Sequence, residues 1–331
     1  RTDRWEELGL RDALVKAHLV REVVSPSPLA TVAIHRLMLA VLHRVFGPSS
    51  ASRWAELWAA GAWDSAALDA YFDRWRGRFD LFDPVHPFYQ TAGLSFEYRV
   101  PASRLVHEMA SGNNPTLFDH TTESRPRPVS AAEAARYLLA HQCFALGGLV
   151  SFERGQDRRL HGSAHNAPLT KCAVALVRGD TLFHTLMLNF HQYSPRDEEP
   201  FPCDPSLDTP AWERGTDDAP CERYPYGYLD LLTWQSRRIR LCPEMMPDGR
   251  LGVGSVVIMK GTQLPGDWSN RGKETMVAFR KRERPAKGAD PWYPVSFVED
   301  RALWRDSMAL FQSVEERHAR PKMMDWLNDL A

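Results

Sequence analysis

Residues 111–120 read Ser-Gly-Asn-Asn-Pro-Thr-Leu-Phe-Asp-His, and the last three, Phe118, Asp119 and His120, set an aromatic ring, a carboxylate and an imidazole side by side. Gly, Asn and Pro in succession supply positive φ, side-chain-to-backbone hydrogen bonds and a fixed turn, so the run is expected to be a shaped loop. A large ring beside two polar tips can press a wedge and hydrogen-bonding groups against a partner. The alternative is a surface loop whose Leu117 and Phe118 tuck back into the core.

A second run with chemical capacity covers residues 147–168. Gly147, Gly148, Gly155 and Gly162 are interleaved there with Arg154, Arg158, Arg159, His161 and His165. Glycines beside arginines let main-chain N–H groups approach phosphates or enter a groove. It is not a P-loop, because no Gly-Lys-Ser/Thr closes it. A flexible surface loop is the competing reading.

Enzyme constellations are thin. The chain has no His-Glu-x-x-His, no Gly-x-Ser-x-Gly and no Gly-x-Gly-x-x-Gly. His107-Glu108 and Asp119-His120 are adjacent pairs whose side chains point apart on any regular element. Cys143 lies in a helical stripe and is expected to pack. The expectation is a non-enzymatic protein without catalytic residues or cofactor; the alternative is a metal-dependent nuclease or hydrolase using scattered His and Asp.

The elements that must carry these runs follow from periodicity. A helix is expected over 8–24. Another starts at Ser27 and Pro28, with an apolar stripe of Ile34, Leu37, Met38, Val41, Leu42, Val45 and Phe46, and stops at Gly47-Pro48. His35, Arg36, His43 and Arg44 lie mainly off that stripe and read as a solvated basic face. Helices are expected over 52–60 and 65–77, then an irregular aromatic and proline-rich connection over 79–90. Ser130 and Glu133 have capping-box spacing ahead of a helix ending near Gly147-Gly148. Residues 170–177 read as a strand and 181–190 as a helix with Leu182, Phe183, Leu186, Met187 and Phe190 inward. Residues 197–222 hold nine acids and one base and read as an irregular acidic excursion.

Residues 228–242 read as strand-like segments with an Arg-rich face of Arg237, Arg238 and Arg240. Residues 253–259 are a buried strand preceded by the turn Asp248-Gly249, with Lys260-Gly261 leaving it. Strands are expected over 276–280 and 292–297, and residues 271–287 carry seven bases against two acids, a local positive patch. Residues 301–318 read as the last clear helix. This order predicts an α+β fold, mixed helices and antiparallel strands in one large irregular domain.

Composition bounds the reading. The 331 residues carry a net charge of −1, so nucleic-acid binding has to come from local patches. Five scattered cysteines (Cys143, Cys172, Cys203, Cys221, Cys242) argue against a disulfide framework or a tetrathiolate zinc site and fit a reducing cytosol, hence a cytoplasmic location. No apolar run is read as a membrane span, and no signal peptide opens the chain. It starts at Arg1 and stops mid-pattern at Ala331, so a piece of something longer is expected.

In order along the chain, residues 79–90, 113–120, 147–168, 174–183 and 302–306 resemble the N-terminal domain of CasA, the large subunit of the type I-E CRISPR Cascade complex. The collinearity makes this resemblance more specific than any single motif. It implies a binding subunit that recognises the protospacer-adjacent motif in duplex DNA from the minor groove, helps start strand separation and recruits a helicase-nuclease. Implied partners are target double-stranded DNA, the guide RNA end, the other Cascade subunits and that helicase-nuclease, with no membrane. By the same resemblance Phe118, Asp119 and His120 fall on the loop near the guide's end and the motif, His120 standing where the family has Asn. Gly155 and Gly162 fall in the family's glycine loop, and Lys260 is the candidate for its groove-inserted lysine, with Lys273 and Lys281 in reserve. The resemblance covers residues 1–331 without the family's wedge hairpin and C-terminal four-helix bundle. The paired cysteines of some members have no counterpart, so no zinc is expected.

Overall fold

The computed structural model describes residues 4–109, 128–214, 219–298, 307–311 and 317–330. Phe118, Asp119 and His120 lie outside the described residues.

The first helix, α1 (Leu10–Val15), is far shorter than the one expected over 8–24. The Ala17 and Val20 carbonyls accept instead from the amides of Phe183 and Leu182, at 3.0 and 2.8 Å. The segment thereby caps a later helix rather than continuing its own. α2 (Pro28–Val45) follows the sequence: Ser27 Oγ accepts the Ala30 amide, and Pro28 sits in the first turn.

Its polar residues correct the sequence reading. His35, Arg36 and His43 are buried, because protein packs against α2 beyond its one apolar stripe. Of the four, Arg44 is the one that reaches solvent, where it pairs with Glu213 at 2.8 Å. By length and composition α2 is also apolar enough to cross a membrane, contrary to the expectation that no run is, yet 61% of it is buried inside the protein. It is the core helix of this fold.

α3 (Ala51–Ala60) and α4 (Ser65–Arg74) are capped by Ser50 and Asp64. Residues 79–90 are irregular, as expected: the Asp80 and Asp83 carboxylates accept the amides of Phe82, Val85 and His86, while Phe79 and Phe88 pack on Trp212. Two short strands follow, β1 (Val100–Pro101) and β2 (Val129–Ser130). α5 (Ala131–Phe144) opens with the expected capping box, Ser130 Oγ accepting the Glu133 amide and the Glu133 carboxylate accepting the Ser130 amide.

The glycine-rich run contains β3 (Gly148–Leu149), α6 (Arg158–His161) and β4 (Ser163–Ala164). Residues 170–177 are not a strand: Lys171 has φ 62° and the segment makes a single bridge, Val174 to Val277. α7 (Leu182–Leu188) buries Leu182, Phe183, Leu186 and Met187, and Phe190 is buried just beyond its end. The acidic stretch includes α8 (Ala211–Arg214) and turns Asp208 inward. α9 (Tyr228–Leu232) is helical where strand-like segments were expected.

β5 (Arg237–Met245) and β6 (Leu251–Lys260) form a long hairpin around Asp248 and Gly249. Pro243 sits at its bulge, where the missing N–H leaves no hole in the ladder. Beyond them come β7 (Phe279–Lys281), β8 (Trp292–Pro294), α10 (Ser307–Phe311), β9 (His318–Ala319) and α11 (Lys322–Leu330). α11 was not foreseen.

β6 organises the largest sheet, with β5 on one side and β1 and β2 on the other; β3 pairs β4, and β7 lies between β8 and β9. Every pairing between these strands is antiparallel. The fold is α+β, as the order of elements predicted.

Candidate nucleic-acid interface

Gly155 lies on an exposed turn in which the Gln156 amide donates to the Glu153 carbonyl. Its φ of +88° is one that residues with a Cβ rarely adopt, and nothing lies within 4 Å of where a Cβ would stand. Among the described residues no acceptor takes the Gly155 N–H. The turn is fastened from below: the Arg154 amide donates to the Tyr98 hydroxyl at 2.6 Å. Arg154, Arg158 and Arg159 are all exposed around it.

Gly162 plays a different part from the one expected. It is buried, its N–H donates to the Arg158 carbonyl and its own carbonyl accepts from Val150. A Cβ there would meet the Arg158 carbonyl at 2.7 Å. The glycine is required by packing inside the loop, and its backbone groups are already used.

Lys260 ends β6 and reaches this loop. Its Nζ donates to the Leu160 carbonyl at 2.9 Å, at the C-terminal end of α6, and Ser151 bridges Met259 beside it. Lys260 and the glycine-rich loop thus share one corner of the molecule, joined through an acceptor 100 residues away in sequence. Leu149 and Leu160 are exposed there, giving a basic surface interrupted by apolar side chains. The reserve lysines sit elsewhere: Lys281 is in β7, and Lys273 stands before it with Nζ 3.8 Å over the Trp268 ring. Burial pulls the Lys273 ammonium pKa down.

The supports of this corner escaped the sequence reading. Arg237, read as part of an Arg-rich face, is buried, and its guanidinium donates to the carbonyls of Ser236, Leu146 and His165 at 2.8–2.9 Å. Burial pulls its pKa down to about 10, so it stays charged at neutral pH. Gln142 holds the Arg237 backbone at both N–H and carbonyl. Gln263 accepts the His165 amide at 2.5 Å and donates to Ser236 and Gly261. Nothing local in the sequence marks these residues, since their hydrogen-bond partners lie up to 98 positions away. No group of three or more His, Cys, Asp or Glu side chains that could hold a metal occurs among the described residues.

A family model described as CRISPR-associated protein Cse1 matches residues 1–331. The chain belongs to the Cse1 family. A curated CasA/Cse1 of Thermus thermophilus is 37% identical over 309 residues, 93% of this chain and 57% of that protein. Among solved structures, Cse1 of Acidimicrobium ferrooxidans superposes with TM-score 0.80 at 28% identity, over 99% of this chain and 61% of that one. Cse1 of Thermobifida fusca gives TM-score 0.81 at 29% identity, over 98% and 63%. A chain of a CRISPR RNA-guided surveillance complex gives TM-score 0.79 at 26% identity, over 97% and 64%. The chain therefore spans about three-fifths of the length of the Cse1 relatives it matches.

Proposed function

We propose that this chain is the N-terminal domain of the large, non-enzymatic subunit of a cytoplasmic RNA-guided antiviral surveillance complex. In that role it recognises the protospacer-adjacent motif of target duplex DNA from the minor groove, helps begin strand separation and contributes to recruiting a helicase-nuclease. Its other partners are the guide RNA end and the remaining subunits of the complex. Base pairing by the guide supplies most of the sequence information in such complexes, leaving the protein a short motif and the backbone to read.

The observation that carries the reading is the Lys260–Leu160 bond, which seats Lys260 on the same loop that presents the open Gly155 turn. A long cation beside an exposed, positive-φ backbone and three arginines fits a minor groove, whose acceptor-rich floor and flanking phosphates favour donors over side-chain bulk. Overall charge near zero fits a subunit held mainly by protein contacts, with DNA affinity as a salt-sensitive increment. Phe118, Asp119 and His120 are assigned to the same contact by family resemblance.

Replacing Lys260 with Ala in the assembled complex should weaken binding to a motif-bearing duplex by about tenfold, as expected for losing one specific contact. Unchanged binding at physiological salt in both Lys260→Ala and Phe118→Ala complexes would refute the site. A metal-dependent cleavage assay on the purified chain tests the hydrolase alternative; a DNA-reading subunit without catalytic residues leaves the substrate uncut.

A further inference from the structure

The loop of residues 147–164 leaves the body at Leu146 and returns at His165, and both of those carbonyls accept from the same nitrogen, Arg237 Nη2, at 2.9 and 2.8 Å. The other terminal nitrogen donates to the Ser236 carbonyl at 2.9 Å. Among the described residues no carboxylate pairs with this buried cation. A guanidinium whose two terminal nitrogens donate to carbonyls is held by geometry: its planar fork fixes the directions of its donors, which a lysine ammonium on a flexible stem cannot reproduce. Gln263 completes the junction, accepting the His165 amide while its own NH2 group donates to Ser236 and Gly261. Lys260 itself pairs with Arg237 in the β5–β6 register. One buried network therefore grips both ends of the glycine loop and the strand end that presents Lys260.

We propose that Arg237 is a positioning residue for the motif-reading corner: with Gln142 and Gln263 it clamps the two roots of the glycine loop against the Lys260 end of β6, without touching DNA. The inference rests on the loop's being a duplex-contacting element. The clamp sets the loop's placement relative to Lys260, so its loss separates motif preference from general duplex affinity, which the exposed Arg154, Arg158 and Arg159 continue to supply.

The test compares Arg237→Met and Arg237→Lys, the latter keeping the charge but losing the fork. In the isolated chain, hydrogen exchange at the Val150 and His165 amides should quicken by about tenfold or more in both variants, while the amides of the β5–β6 ladder around Val256 keep their protection. In the assembled complex, preference for motif-bearing over motif-free duplex should fall by about tenfold, with motif-free affinity within about twofold of the parent. Parent-like loop exchange in both variants would overturn the proposal. So would lost motif preference in Arg237→Met that Arg237→Lys restores, since that marks a charge contact. Faster loop exchange with motif preference intact sustains the clamp and counts against the loop as a reader. If Arg237→Met fails to fold, Gln263→Met, which removes the His165 acceptor and leaves the cation in place, carries the same two measurements.

Discussion

Arg36 and Glu274, 238 residues apart in sequence, form a two-point ion pair inside the protein: Arg36 Nη1 lies 2.8 and 2.9 Å from the two carboxylate oxygens. Both side chains are almost completely buried, at 2% and 1% exposure. Burial pulls the Arg36 pKa down, but the Glu274 charge and hydrogen bonds offset it and leave the guanidinium raised above its usual value. The pair ties α2 to the stretch leading into β7.

Breaking it on one side leaves an uncompensated charge in the interior. Arg36→Met or Glu274→Met should therefore each cost about 3–5 kcal/mol of folding stability, whereas the two combined should cost markedly less than the sum. Urea denaturation of the three variants checks this, and an additive double variant would mean the two charges do not interact.

Acid should destabilise the chain through buried histidines. His43 packs 4.4 Å from the Phe190 ring and 5.1 Å from His191, centroid to centroid. Burial first, and then the His191 charge, hold its pKa well below the usual value; burial lowers His191 to about 4. The unfolded chain takes up these protons near pH 6.5 while the folded chain does not, so stability is lost as pH falls from about 6.5 towards 4. The expected slope is up to about 1.4 kcal/mol per pH unit per histidine. His43→Phe should make the protein more stable than the parent by about 2 kcal/mol at pH 5, with a smaller difference at pH 7. Parallel stability–pH curves for the two proteins would contradict the assignment.

The two loop glycines should respond differently. Gly155→Ala strains a positive-φ turn in open space and is expected to cost about 1 kcal/mol locally while lowering duplex binding. Gly162→Ala drives a Cβ against the Arg158 carbonyl, so α6 and the Leu160 acceptor of Lys260 shift with it. Loop-specific proteolysis should rise in Gly162→Ala more than in Gly155→Ala; the reverse order would show that Gly162 is not a packing residue.

What the sequence made legible was local. Ser27, Pro28 and Gly47-Pro48 mark the ends of α2, Ser130 and Glu133 the start of α5, and Asp248-Gly249 the β5–β6 turn, because each device works over a few residues. The burial of Arg36 and Arg237 was not legible: an arginine off an apolar stripe reads as solvated until its partner is known, and Glu274 is far away in sequence. The helix expected over 8–24 failed because carbonyls at Ala17 and Val20 are recruited by Leu182 and Phe183. For the candidate site, glycines and arginines marked the loop as a candidate, but the contact that joins it to Lys260 and the packing of Gly162 are tertiary facts. α11 went unread although Met323, Trp326, Leu327 and Leu330 recur at helical spacing.

In the function proposed above, the Gly155 turn and Lys260 enter the minor groove of the motif. A photo-crosslinking side chain placed at Arg154, whose own backbone N–H is fixed on Tyr98, tests it in the assembled complex with labelled duplex. Crosslinks confined to the motif base pairs, and lost when the motif is scrambled, are the predicted result. Crosslinks spread evenly along the duplex, or none at all, would contradict it.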